Sequence, residues 1–185
     1  CILPSNKSLS PYASAKIAAS EIVNQYKQQY NIRSINGYLH NHESVHRGSK
    51  FVLPKIFKAA INISNGSREK LKLGNLEIIR DWGCAQEYME GILRYIISDF
   101  SENFILGTGY AMSLRSVVQH IFSNYNLNYQ EFIEIDETLI RKAEIKKMVG
   151  TTDFLFNRID WKPSLVGLSL IDKLQIDFER KLIIH

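Results

Sequence analysis

Cysteine is nearly absent from this chain: there are two, Cys1 and Cys84. Two thiols cannot build a disulfide framework, and no His or Cys pair has zinc-finger spacing, so a reducing, cytoplasmic setting is expected. Proline is scarce as well, four in 185 residues, and no low-complexity tract occurs, which argues against a disordered chain. No apolar run approaches the roughly 20 residues that span a bilayer, and the N-terminus carries neither a basic n-region nor a signal-peptide core. Strong charge is missing too. The net charge is +4, and the densest basic stretch, "RKAEIKK" at 141–147, is interrupted by Ala143, Glu144 and Ile145. It reads as a solvated strand or loop face, so neither nucleic acid nor a membrane is an expected partner. What remains is an ordinary globular composition, 45% hydrophobic and 23% charged, at a length that suits one domain.

The hydrophobic spacing alternates between helix and strand. "SPYASAKIAASEIVNQYKQQYN" puts Ser10 and Pro11 at the N-cap and first helical position, with Ala15, Ala19, Ile22, Val23 and Tyr26 at helical spacing. "IRSINGYLH" at 32–40 predicts a strand and "HNHESVHRGSK" a loop; "FVLPKIFKAAINI" predicts a helix with Pro54 in its first turn, ended at Asn65 and Gly66. Short strands are predicted at "KLKLG" and "LEIIRDW". A helix over "AQEYMEGILRYIIS" follows, its apolar face at Tyr88, Met89, Ile92, Leu93 and Ile96. "NFILGTG", "QEFIEID" and "EIKKM" predict strands, Ser113 a cap for the helix "LRSVVQHIFSNY", and two helices around 154–158 and 168–182 close the chain. The fold class is α/β.

Two motifs invite a functional reading and fail on context. His42-Glu43-Ser44-Val45-His46 matches the H-E-x-x-H of zinc metalloproteases, but that motif needs both histidines on one helical face. Gly37, Asn41, Ser44 and Gly48 crowd the window and a strand runs into it, so no metal is expected here. "GTGYAM" at 107–112 follows a strand as a dinucleotide-binding loop would, yet Met112 stands at the third glycine position, where close helix packing is required. An ordinary turn is the better reading.

Tyr12 and Lys16 are four apart on the first helix, so their side chains share a face. An ammonium beside a phenol favours the phenolate, which suits acid-base catalysis, although the spacing alone is equally that of an exposed surface pair. The surrounding letters add to it. "SPYASAK" resembles the Tyr-x-x-x-Lys helix of the extended short-chain dehydrogenase/reductase superfamily. "GYLHNHESVHRGSKFVLPKI", "LGNLEIIRDWGCAQEYMEGI", "LGTGYAMSLRSVVQ" and "RIDWKPS" follow in the order and spacing of GDP-mannose 4,6-dehydratases, from about Ser10 to the C-terminus.

The resemblance implies a hydro-lyase that converts GDP-mannose to GDP-4-keto-6-deoxymannose, recycles NADP within each turnover, and works as a homo-oligomer. It implies Tyr12 and Lys16 as catalytic residues, Lys16, His42 and Arg47 as cofactor contacts, and Asn41, Lys55, Arg80, Arg141 and Glu144 as substrate contacts. It also implies the C-terminal part of such an enzyme: an incomplete Rossmann-like sheet over residues 1–50 and a smaller substrate-binding α/β part over 51–185, some segments of which return to the first. The family's Gly-rich loop and its catalytic Thr and Glu would precede this stretch, so the 185 residues alone are expected to be inactive and to expose a sheet edge. Four positions depart from the family pattern: His46 stands for Arg, Cys84 for His, Glu87 for Asp and Lys142 for Pro. The alternatives are a related nucleotide-sugar epimerase or dehydratase, and a non-catalytic binding or oligomerisation module.

Overall fold

Ser10 accepts a hydrogen bond from the Ala13 amide at 3.1 Å and Pro11 follows at the first helical position, so α1 (Pro11–Tyr30) starts where the sequence places it. Asn31 ends it in a left-handed conformation. The structure, a computed structural model, describes residues 10–140 and 144–184. The predicted strand at 32–40 is shorter: β1 is Gly37–Leu39, and a second strand, β2 (Asn41–Glu43), forms inside the stretch expected to be a loop. The reason is tertiary. β1 pairs in parallel with β5 (Phe104–Leu106), whereas β2 pairs in parallel with β4 (Ile79–Cys84), so the chain changes sheets at His40.

α2 (Val52–Ser64) carries Pro54 in its first turn and buries Leu53, Ile56, Phe57, Ala60 and Ile63. β3 (Leu71–Leu73) pairs in parallel with β7 (Ile133–Ile135), and the remainder of the predicted "QEFIEID" strand is instead a short helix, α5 (Tyr129–Phe132), capped by Asn128. β4 is the hub. Its C-terminal half pairs with β2, and its N-terminal half pairs with β6 (Ala111–Ser113) antiparallel and β8 (Lys147–Met148) parallel. α4 (Leu114–Ser123) has the expected Ser113 cap, and α6 (Asp153–Ile159) and α7 (Gly167–Ile184) end the chain.

Among the described residues two hydrophobic cores result. The larger joins α2, α4 and α7 over β3 and Trp82; the smaller joins Tyr88 and Tyr95 of α3 (Ala85–Ile97) to Phe104, Leu106, Leu155 and Trp161. The apolar face predicted for α3 is therefore corrected. Tyr88, Gly91 and Tyr95 are its buried stripe, while Met89, Leu93 and Ile96 are exposed, because the smaller core lies against one side of the helix only. α1 buries no residue. Among the described residues no helix is long and apolar enough to cross a membrane.

Candidate functional site

The H-E-x-x-H segment takes a geometry that cannot chelate zinc as the motif does. His42 and Glu43 lie on β2, where successive side chains point to opposite faces, and His46 sits in the turn beyond. His42 Nδ1 lies 3.0 Å from the His40 carbonyl. With Nδ1 as donor there, Nε2 is the acceptor nitrogen left to a ligand. The His42 ring stands 5.8 Å from that of buried Tyr88, whose hydroxyl is pushed up by burial and by the Asp81 and Glu87 carboxylates.

Arg47 is held on three sides. Its Nη1 donates to the His42 carbonyl at 3.1 Å, its guanidinium lies 3.8 Å from the Phe51 ring centroid, and its Nε is 3.2 Å from Glu43 Oε2. That ion pair is poorly aligned: neither of its two buried atoms makes a hydrogen bond. Desolvation therefore outweighs the nearby charge, and burial pushes the Glu43 carboxyl up to about 7 even though Arg47 pulls the other way. A consequence for stability follows. Between the ordinary carboxyl value of 4.5 and about 7 the folded state holds a proton that the unfolded state has released. Stability should fall as pH rises through that window, by up to ~3 kcal/mol, and level off above it. Urea unfolding of the wild type and Glu43→Gln across pH 4.5–7.5 checks this; equal pH slopes in the two proteins would exclude it.

Asp81 is the feature that sequence reading missed. It is 1% exposed, one position after Arg80 on β4. Its Oδ1 accepts from Thr108 Oγ1 at 2.5 Å, and its Oδ2 accepts from the amides of Thr108, Gly109 and Gly150, each at 3.0 Å. The Thr108 and Gly109 amides belong to the "GTG" turn and that of Gly150 to the segment after β8, so the turn amides that would cradle a phosphate are occupied by a carboxylate of the same chain. The turn leads first into the short strand β6 and only then into α4, not directly from strand to helix as expected. Gly107 and Gly150 are glycines because their backbones meet: a Cβ on Gly107 would lie 2.5 Å from Gly150 Cα. His40 packs on the same crossing, and its burial lowers its imidazole pKa against the opposing pull of Asp81. The available signal was an acidic residue between Arg80 and Trp82 within the predicted strand "LEIIRDW".

The other predicted residues fall into separate groups. Tyr12 and Lys16 stand on α1, both exposed, with Lys16 Nζ 5.7 Å from the Tyr12 ring centroid, so the expected shared face is present. Arg80 and Glu144, 64 positions apart, come within 4.0 Å with both side chains largely buried, and Arg80 Nη1 donates to the Ile79 carbonyl at 2.9 Å. β2 brings Asn41 beside Trp82, two residues along β4 from Arg80. Lys55 on α2 donates to the Lys72 carbonyl at 2.7 Å, near Asp136, whose carboxyl is held low first by Thr138 and then by Lys72 and Lys55. Arg141 lies outside the described residues, as do Cys1 and Lys142. Of the remaining departures, Glu87 accepts from the amides of Ser164 and Leu165 and so ties α3 to the segment entering α7. Cys84 is a half-buried free thiol and His46 is exposed.

The sequence profile of the family described as GDP-mannose 4,6 dehydratase matches residues 5–174. The chain is 42% identical over 164 residues to GDP-mannose 4,6-dehydratase of Sinorhizobium fredii, covering 88% of this chain and 45% of that protein. It is 33% identical over 173 residues to GDP-mannose 4,6 dehydratase 2 of Arabidopsis thaliana, covering 94% and 46%. The chain thus spans about half the length of the curated relatives it matches. Its fold resembles dTDP-glucose 4,6-dehydratase of Bacillus anthracis in complex with NAD, with TM-score 0.82, 19% identity, and 94% of this chain and 53% of that one covered. It also resembles RMD of Pseudomonas aeruginosa complexed with NADPH, with TM-score 0.78, 20% identity and coverages of 97% and 60%.

Proposed function

Because the chain belongs to the GDP-mannose 4,6-dehydratase family, we propose that it carries the Tyr-Lys pair and the nucleotide-sugar side of an NADP-dependent hydro-lyase acting on GDP-mannose. The reading brings with it a cytoplasmic enzyme that is a homo-oligomer in its full-length form. The observation that carries it is the pairing of Arg80 with Glu144 across 64 positions, because both are substrate residues by the family resemblance and they meet at one end of β4.

Tyr12 takes the proton of the sugar C4 hydroxyl, and Lys16, one turn along, favours the phenolate and holds the cofactor ribose. When bound, the nicotinamide supplies hydride exchange with the sugar. His42 presents Nε2 to the cofactor, its other nitrogen being directed at the His40 carbonyl. Arg47 adds positive charge beside it, tempered by Glu43. These residues fit a polar cofactor edge. The "GTG" amides do not fit its pyrophosphate, since Asp81 holds them. Arg80 meets the sugar-nucleotide pyrophosphate with its planar fork, joined by Arg141; Glu144 accepts from ribose hydroxyls. Asn41 is a further substrate contact, and Lys55 serves the base or phosphate end. No described residue is assigned as base for the elimination at C5, so these 185 residues by themselves are expected to show no turnover.

Calorimetric titration of the chain with GDP-mannose, UDP-glucose and dTDP-glucose tests the reading. GDP-mannose should bind and be displaced by GDP, and Arg80→Ala should weaken it by ~10–100-fold, the worth of one or two charge-assisted hydrogen bonds. Equal binding of the UDP or dTDP sugar would favour a related nucleotide-sugar enzyme instead, and turnover by the chain alone would overturn the expected inactivity.

A further inference from the structure

We propose that the cavity between the turn after β2, the start of α3 and the first half of α7 is a binding site for a small organic cation, an ammonium group on a short apolar stem, with the Glu43 carboxylate as its anchor. None of the described residues that line the cavity is assigned to the cofactor or to GDP-mannose, so the inference is independent of the dehydratase reading.

The cavity has a volume of about 520 Å³, within the span of roughly 300–1,000 Å³ that small-molecule sites occupy. Three separate segments wall it. Val45 comes from the turn, Met89 from α3, and Leu165, Leu170 and Leu174 from the entry and body of α7, which makes one side apolar. The other side is acidic. Glu43, Glu87, Glu90 and Asp177 line it against Lys173 and the exposed His46, so the field inside favours a positive charge over a carboxylate or a phosphate.

These carboxylates differ in what they still lack. Glu87 accepts from the amides of Ser164 and Leu165, Glu90 from Arg94 at 2.6 Å, and Asp177 from Lys173. Glu43 has no such donor. It is 3% exposed and makes no hydrogen bond with a described residue, its Oε2 being one of the buried atoms left without a partner. Arg47 does not supply the bond: its Nη1 donates to the His42 carbonyl and its guanidinium lies on the Phe51 ring, which leaves Nε 3.2 Å from Oε2 but off the line to it. A buried carboxyl without a donor is destabilising, and a donor brought by a ligand relieves it. An ammonium carries three N–H donors and a full charge, so it also displaces the proton that burial holds on Glu43 up to about pH 7. Cys84 is a reporter already in place. It is the register partner of Glu43 on β4, lines the same cavity, and is a half-buried free thiol.

Disulfide tethering in a Cys1→Ser chain tests this. The Cys84 thiolate attacks one sulfur of cystamine, the reagent's S–S bond breaks, Cys84 keeps an aminoethyl disulfide, and cysteamine leaves as a thiolate that takes up a proton. The disulfide of mercaptoethanol delivers a neutral group of the same length. With each rate divided by that on the urea-unfolded chain, cystamine should react at least ~10-fold faster than the neutral reagent, and the preference should fall to about 1 in Glu43→Gln. Calorimetric titration of the unmodified chain with butylammonium and with butanol makes the same comparison without a variant or a thiol. Butylammonium should bind at least ~10-fold more tightly, and its affinity should rise by up to ~10-fold per pH unit toward about pH 7 and level off above it, because the bound ammonium displaces the Glu43 proton. The other charged or titratable groups facing the cavity are His46 on the turn, with Arg47 beside Glu43, then Cys84, Glu87 and Glu90 at the head of α3, and Lys173 and Asp177 on α7. The part of the slope that belongs to Glu43 is the part that Glu43→Gln removes. Equal reactivity of the two disulfides after the correction, a preference that Glu43→Gln retains, or equal binding of butanol and butylammonium would overturn the proposal.

Discussion

Asp81→Ala is expected to lower the unfolding free energy by about 3–5 kcal/mol, at the upper end for a single substitution. The carboxylate is the shared acceptor for the amides of Thr108, Gly109 and Gly150 and for the Thr108 hydroxyl. Removing it strands these donors where β4, the "GTG" turn and the segment after β8 cross, and each buried unsatisfied donor costs about 1–3 kcal/mol, reduced in sum by any water that enters. Asp81→Asn should be intermediate. It keeps an acceptor on the Oδ1 side, but its amide group would face three N–H donors where Oδ2 now accepts. Urea unfolding followed by tryptophan fluorescence gives the free energies, and amide exchange at Thr108, Gly109 and Gly150 localises the loss. A cost under ~1 kcal/mol for the alanine variant would show that the hydrogen bonds are replaced by solvent without penalty.

Gly83→Ala should cost about 3 kcal/mol or more, above the usual range for one added methyl in a core. The new Cβ would fall 2.5 Å from the Tyr88 hydroxyl oxygen and closer still to its ring carbons. Tyr88 is fully buried and belongs to the smaller core with Tyr95, Phe104 and Trp161, so the ring cannot move aside without displacing that packing. Truncating the obstacle tests the cause. In a Tyr88→Leu background the penalty of Gly83→Ala should shrink by at least ~1 kcal/mol, a coupling expected of side chains in direct contact. Strict additivity of the two substitutions would mean that the cost lies in the backbone of β4 and not in the ring above it.

Much of the architecture was legible from local pattern. Ser10 with Pro11, Ser113 before "LRSVV", and Asn65 with Gly66 are helix boundaries written by side-chain and backbone chemistry within a few residues, and each appears where it was read. The shared face of Tyr12 and Lys16 follows from helical geometry alone. The misreadings have a common origin. "HNHE" looked like a loop because nothing local says that Asn41, His42 and Glu43 will find a ladder on Trp82, Gly83 and Cys84, forty-one positions on. The face of α3 was drawn too wide because Met89, Leu93 and Ile96 have the right period but no core beside them.

The sequence by itself determined the α/β class, the helix starts and stops, the Tyr-Lys pair and the family resemblance, because each rests on residues close together in the chain or on motif order. Only the tertiary structure decided which groups meet: Arg80 with Glu144, Glu43 misaligned on Arg47, and Asp81 holding the amides of a turn that would otherwise resemble a phosphate loop. Such contacts depend on strand pairing and burial between distant segments. Burial also changes what a residue is chemically, so that Glu43, an ordinary acid by its letter, holds its proton up to about pH 7 once water is excluded and its partner is badly aimed.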